Sequence, residues 1–185
     1  MDQITKDWLQ AAGWLAGAAG LILAAVKFWS ELRAARAQRE RELRWRQAEA
    51  GKSLNDEMQT DDRAWPAMQM LDSPSRTYEL REGHWVTITR DDVVAAFALH
   101  AQTDSEKVVF IRDCFDTLFY FFAMFDHYIS SSLIVPADVA YPVEYYVPLM
   151  AEMHSQITSY FQRYNLHRAR RFLERYPAWK EVTVA

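Results

Sequence analysis

The segment from Trp8 to Trp29 limits what this chain can fold into more than any other feature. It reads WLQAAGWLAGAAGLILAAVKFW, lacks proline, and carries its single charge at Lys27. As a helix it would extend about 33 Å, and the hydrocarbon core of a bilayer is about 30 Å thick. Tryptophan at both ends is typical of membrane interfaces. The segment therefore predicts a single-pass membrane anchor within residues 1–29.

Charges beside the segment predict its orientation. Before it stands Lys6 with Asp2 and Asp7, so the cation-rich start of a cleavable signal peptide is missing. The cations that follow it are Lys27, Arg33, Arg36, Arg39, Arg41, Arg44 and Arg46. The positive-inside rule then predicts insertion into the inner (cytoplasmic) membrane, with the N-terminus outside and the C-terminal domain in the cytoplasm.

The anchor is rich in small residues, and this property supports two interpretations. Ten of the sixteen residues from Ala11 to Val26 are Ala or Gly, so a buried helix of a soluble protein remains an alternative. The small residues also form a small-xxx-small face, which lets two helix backbones approach closely. We therefore predict a homo-oligomer that associates through Gly13, Ala16, Gly17 and Gly20.

Residues 30–65 predict a helical stalk that continues the anchor helix. The stretch is rich in Arg, Glu and Ala, and proline is absent from it. Large apolar residues recur every eleven positions, at Leu21, Leu32, Leu43, Leu54 and Trp65. This stripe is too thin for an isolated coiled coil, but it would align parallel stalks whose anchors already associate. A solvated, salt-bridged helix explains the stalk equally well, and Gly51 is a candidate hinge.

Residues 66–185 predict one small helical-bundle domain with a short β-hairpin. The β-prone runs Thr77–Leu80 and His84–Thr89 flank the turn at Glu82-Gly83. Thr89 with Asp92 marks one helix start, and Thr103 with Glu106 marks another, for a helix that ends near Ser130. Within the latter helix, residues 118–125 are apolar all round, which predicts a buried core helix. The fold class is thus mainly α.

Prolines 136, 142 and 148 precede a last helical region. Pro142 suits the first turn of a helix, whereas Pro148 suits either a kink or a new start. An apolar stripe at helical spacing follows, formed by Met150, Met153, Ile157, Tyr160, Phe161, Tyr164 and Phe172.

Residues 163–180 hold a run of cations interleaved with aromatic residues. The candidate ligand-binding residues are Arg163, His167, Arg168, Arg171 and Arg175. Such a face suits a nucleotide, RNA or acidic lipid headgroups. A solvated face paired with the acidic residues of the middle region explains the same pattern.

The sequence predicts neither a catalytic site nor a metal or cofactor site. The five histidines lack the spacings of metal ligands, and the single cysteine, Cys114, is expected to pack as a small apolar residue. One cysteine cannot form an intrachain disulfide, in agreement with a reducing compartment. We expect a protein that is not an enzyme.

The stretch from Arg112 to Tyr176 resembles an uncharacterised family of bacterial single-pass membrane proteins. The residues that carry the resemblance are FDTLFYFFAMFDHY, then VPADVAYPVEYY, then YFQRYNL. The resemblance implies an N-terminal membrane helix, an Arg/Glu-rich stalk and an aromatic-rich helical cytosolic domain. It implies no catalytic residues.

Three functions are consistent with these patterns. The first is a membrane-anchored, self-associating interaction or signalling module that presents its domain to a cytosolic protein or nucleotide. The second is a ligand-gated effector that disrupts the membrane, as in antiviral defence. The third is a membrane-bound hydrolase whose site combines histidines and carboxylates that are distant in sequence. We expect the first.

Overall fold

The computed structural model describes residues 3–98 and 105–181, and it describes only the backbone at 3–13, 15–19, 22, 25 and 181. The predicted mainly helical fold with a small hairpin is confirmed. The elements are α1 (Gln3–Thr60), α2 (Ala64–Asp72), β1 (Ser75–Arg81), β2 (His84–Thr89), α3 (Arg90–Phe97), α4 (Glu106–Ser130), α5 (Ala140–Ala151), α6 (His154–Tyr164), α7 (His167–Leu173) and α8 (Pro177–Glu181). A 3-10 turn, Pro136–Asp138, precedes α5.

The chain divides into two compact units, Met1–Arg46 and Gln47–Ala185. In the part that the structure describes, no helix is long and apolar enough to cross a membrane. Most side chains of the predicted anchor lie outside that description, including the predicted association residues Gly13, Ala16 and Gly17. At Gly20, which is described, an added Cβ would meet nothing within 4 Å.

The second unit begins inside the predicted stalk, at Gln47 and not at residue 66. Leu54 and Met58 of α1 are buried in its core. The Asn55 amide nitrogen donates hydrogen bonds to the carbonyl oxygens of Asp138 and Tyr141, at 3.1 and 3.0 Å. The last turns of α1 therefore belong to the folded domain. The residues that recur every eleven positions therefore do not share one environment, because Leu54 is buried in the domain core whereas Leu43 is exposed.

Gly51 provides a close contact and does not act as a hinge, so this prediction is wrong. Helix α1 runs through it without interruption. A Cβ at this position would lie 2.5 Å from the Cβ of Asp138 and 3.2 Å from its carbonyl oxygen. Only glycine therefore lets the 3-10 turn lie against α1 at this distance.

The hairpin and the helix after it follow the predicted local signals. Strands β1 and β2 pair antiparallel, and Gly83 in the turn has φ 74°, a conformation that glycine adopts without strain. Tyr78 and Ile88 are buried on the core side. The Thr89 hydroxyl accepts from the backbone of Asp92, whose carboxylate accepts from the backbone of Thr89. This capping box starts α3, as predicted.

Helix α4 occupies the centre of the unit with the predicted bounds. It packs on α2, α3, α7 and β1. Of the stretch 118–125, five residues are buried: Leu118, Phe119, Phe121, Phe122 and Phe125. Tyr120 is 61% exposed, so the prediction of burial on every side is wrong at that position because α4 keeps one side facing solvent. Thr103 lies outside the described residues, and Ser105 occupies the N-cap position.

The last helical region is divided into short helices that close the core. In its apolar stripe, Tyr164 is exposed and the other six residues are buried. Asn165, in the left-handed conformation that asparagine tolerates, ends α6. Pro142 lies near the start of α5, as expected, and Pro148 lies inside that helix. Trp179 of α8 is buried.

We expect Gly51→Ala to lower the free energy of unfolding by about 1–3 kcal/mol, because the methyl group overlaps Asp138. Thermal unfolding of the full chain in detergent, followed by near-UV circular dichroism, measures this. Ala48→Ser, which adds one heavy atom at an exposed position of the same helix, is the matched control. A Gly51→Ala variant as stable as the wild type would contradict the close contact.

Candidate functional site

Three of the five predicted ligand-binding residues are brought together beside α4. Arg168 and Arg171 lie three residues apart on α7, and Arg175 follows just beyond its end. They contact Asp126 and His127 near the C-terminal end of α4. We call these five residues the arginine cluster.

Asp126 is the centre of this cluster. Its side chain is completely buried. Two nitrogens of Arg171 donate hydrogen bonds to it: Nε lies 3.1 and 3.0 Å from the two carboxylate oxygens, and Nη2 donates to Oδ2. The Nη2 of Arg175 donates to Oδ1 at 2.8 Å. A buried carboxylate is costly unless it is paired and hydrogen-bonded. The ion pairs of Arg171 and Arg175 with Asp126 therefore attach the C-terminal segment to α4.

The electrostatics of Asp126 follow from two opposing effects. Burial favours the neutral acid, but the hydrogen bonds and charges of Arg171 and Arg175 outweigh it and hold the pKa of the Asp126 carboxyl below its ordinary value. Asp126 also lies about one turn before the end of α4, where the helix dipole is negative. A carboxylate at this position needs cations, which the segment from α7 supplies.

Arg168 differs from Arg171 and Arg175 because its partner is an imidazole and not a carboxylate. Its Nη1 lies 3.1 Å from Nδ1 of His127, which is exposed. A guanidinium only donates, so this contact is a hydrogen bond in the tautomer that carries its proton on Nε2. Among the described residues, no carboxylate forms an ion pair with Arg168.

The other two predicted residues lie apart from the cluster's contacts. The guanidinium of Arg163, on α6, lies 5.6 Å from the ring centroid of Tyr164. His167 is the exposed first residue of α7. The ligand-binding role of all five residues stays a prediction. The alternative interpretation, in which these cations pair with acidic residues, applies to Arg171 and Arg175. Their partner is Asp126 of α4, however, and not an acidic residue of the middle region of the sequence.

A second arrangement, which the sequence did not indicate, is a cleft of about 400 Å³ in the folded unit. Its lining comes from three separate parts of the chain: Arg63, Leu80, Arg81, Glu106, Val109, Phe110 and Asp113. The Arg63 guanidinium lies 5.1 Å from the Phe110 ring centroid, and Arg81 pairs with Glu106 at 2.6 Å. Two cations and two anions balance each other in this cleft. Its charges therefore favour neither a cation nor an anion.

In the described chain, Cys114, His84 and His154 each lie in a different environment. Cys114 is buried, and burial raises the pKa of its thiol to about 12, so it packs as a small apolar residue, as predicted. His84 lies 3.4 Å from Glu106, whereas the His154 ring contacts that of Trp179 at a tilt of 51°, with ring centroids 4.6 Å apart. His100 lies outside the described residues. Within the described part, no group of three or more His, Cys, Asp or Glu side chains is arranged to hold a metal ion.

Comparisons with known proteins add no relative. No family model matches the chain, and neither the curated proteins nor the solved structures contain a significant match.

We expect Asp126→Asn to lower the free energy of unfolding by about 2–3 kcal/mol at neutral pH, because charge-assisted hydrogen bonds are lost. The folded-state pKa of Asp126 is lowered, so its stabilisation is present above the unfolded pKa of about 3.9 and is lost as the pH falls through the folded pKa. The stability difference between wild type and variant should shrink across that acidic range. Denaturant unfolding at several pH values measures it.

Asp113→Asn is the matched control for this experiment. Asp113 lies on the same helix and is exposed, so its removal should change stability by less than about 0.5 kcal/mol. A wild-type advantage over Asp126→Asn that is unchanged by acid would contradict the role of the charged carboxylate.

Proposed function

We propose that this chain is a membrane-anchored, self-associating module that presents its folded unit to a partner in the cytoplasm. The observation that carries the proposal is the apolar surface of the first unit. Six large apolar side chains between residues 14 and 29 are each at least 61% exposed: Trp14, Leu21, Leu23, Val26, Phe28 and Trp29. A surface of this kind needs an apolar cover.

The distribution of these side chains around α1 favours lipid as the cover. At about 100° of rotation per residue, Trp29 lies roughly 80° from Leu21, and Leu23 lies roughly 120° further round. A helix that is apolar on all sides is typical of a membrane span or a protein core. One partner helix would cover a single stripe, whereas a bilayer surrounds the whole helix. We propose that this part of α1 is inserted in the inner membrane.

The charged part of α1 supports the proposed orientation. From Arg33 to Arg46 the described side chains are exposed, and six of them are arginines. Arginines that follow the apolar segment directly are retained on the cytoplasmic side. They would also be attracted to anionic headgroups there. The folded unit would then lie in the cytoplasm, with the N-terminus outside.

Self-association of the anchor is part of the proposal. In a bilayer, helices associate through close packing of small residues, since lipid removes the hydrophobic driving force between them. The residues proposed for this contact are Gly13, Ala16, Gly17 and Gly20. The open space around Gly20 leaves room for a neighbouring backbone.

The alternative of a ligand-gated membrane effector is favoured by one observation, the excess positive charge of the arginine cluster. Ion flux when the protein is overexpressed would support it. The hydrolase alternative lacks comparable support, because the contact between His84 and Glu106 is solvent-exposed.

Membrane insertion and orientation can be tested by cysteine labelling, because the native Cys114 is buried. We expect Gln3→Cys to react with a membrane-impermeant maleimide in intact spheroplasts, and Lys52→Cys, at an exposed position, to react only after permeabilisation. Labelling of Lys52→Cys in intact spheroplasts would contradict the orientation. Recovery of the full chain in the soluble fraction would contradict the anchor.

Self-association predicts that Gly13→Leu together with Gly17→Leu weakens the oligomer, because bulky side chains separate the backbones. Analytical ultracentrifugation in detergent measures the assembly, with and without residues 1–30. Ala11→Leu with Ala18→Leu is the matched control, since these positions lie on the opposite side of the helix. If both pairs leave the assembly unchanged, this face does not form the contact.

A further inference from the structure

We propose that the arginine cluster is a preorganised binding site for a phosphate group, in which Asp126 is a positioning residue that holds the arginines in place. The inference goes beyond the proposed function and does not depend on the anchor. It follows from the charge balance, the unused donors and the rigidity of the cluster.

The charge balance leaves a positive excess. The cluster holds three guanidiniums and one carboxylate: Arg171 and Arg175 pair with Asp126, whereas Arg168 contacts the His127 imidazole. The C-terminus of α4 contributes about half a negative charge, which is less than the excess. Arg170, on another side of α7, pairs with Glu174 and takes no part in the cluster. An anion would therefore complete the charge balance of this site.

The guanidiniums also retain hydrogen-bond donors. Arg171 uses Nε and Nη2 for Asp126, Arg175 uses Nη2, and Arg168 uses Nη1 for His127. Within the described residues, Nη1 of Arg171 and both Nε and Nη2 of Arg168 donate to no protein group. The Arg171 side chain is 55% exposed, so a ligand can reach it from solvent. A guanidinium presents several donors in a fixed plane, which suits the oxygens of a phosphate.

Asp126 makes the site rigid. Flexible arginines lose conformational entropy when they bind a ligand, and this loss weakens most surface charge clusters. Here the bidentate contact with a buried carboxylate already restrains Arg171, and the contact with His127 restrains Arg168. Part of the entropy loss therefore occurs during folding, and ligand binding is favoured by preorganisation.

Two kinds of ligand carry such a phosphate group: a soluble phosphate compound and an anionic lipid with a phosphate headgroup. In the first experiment, inorganic phosphate and glycerol 3-phosphate are titrated into the full chain in nonionic detergent and binding is followed by ³¹P NMR. In the second, the full chain is reconstituted into phosphatidylcholine vesicles with or without phosphatidic acid, and hydrogen exchange of α7 is compared.

The decisive variant is Arg168→Gln, which removes the cation without a carboxylate partner and leaves the buried ion pairs intact. We expect about a tenfold loss of phosphate affinity, or loss of the exchange protection given by phosphatidic acid. Arg170→Gln is the control with the same charge change, and it should stay within about twofold of the wild type. Arg171→Lys, which keeps the charge beside Asp126 but not the planar donors, should also weaken binding.

Each result distinguishes between the possibilities. Binding of the soluble phosphates identifies a soluble ligand class, and an effect confined to phosphatidic acid vesicles identifies a lipid headgroup. Either result supports the proposal if Arg168→Gln weakens it by about tenfold or more and Arg170→Gln leaves it within about twofold. Equal losses in both variants would show diffuse charge attraction and overturn the proposal. Absence of binding in both experiments would overturn it as well.

Discussion

Helix α4 is apolar around most of its circumference. The other elements of the folded unit are arranged around it because they bury this apolar surface. Phe115, Phe119 and Phe125 are completely buried, and each contributes about 1.5–3 kcal/mol when it leaves water. The Phe119 ring lies 4.7 Å from that of Phe161 on α6 and 6.2 Å from that of Phe97 on α3, measured between centroids. These ring contacts fix α3 and α6 against α4, because the apolar surface of the rings is buried there.

Asp126 is one of two charged residues that α4 buries, the other being Arg112, and it relates stability to the candidate site. A buried carboxylate could not remain charged without the guanidiniums of Arg171 and Arg175. The same pairing holds these arginines in one orientation and leaves some of their donors exposed. The contact that attaches the C-terminal segment to the core thus also organises the proposed phosphate site.

Local signals in the sequence were sufficient for much of the fold. The capping box of Thr89 and Asp92, the turn at Gly83, and the helix Glu106–Ser130 all depend on residues that are close in sequence. The candidate site was predicted in part: the sequence indicated the arginines but not which of them would meet. A charged residue inside an apolar helix, Asp126, was the available signal for their partner.

What the sequence by itself determined is the mainly helical class, the hairpin, and the approximate extent of α3 and α4, because hydrogen bonds and caps within a few residues fix them. Only the tertiary structure decided which residues meet across the chain. It placed Leu54 in the domain core, brought Asp138 against Gly51, and paired Asp126 with Arg171. These contacts join residues far apart in sequence, and they form only when the packing of α4 has brought their elements together.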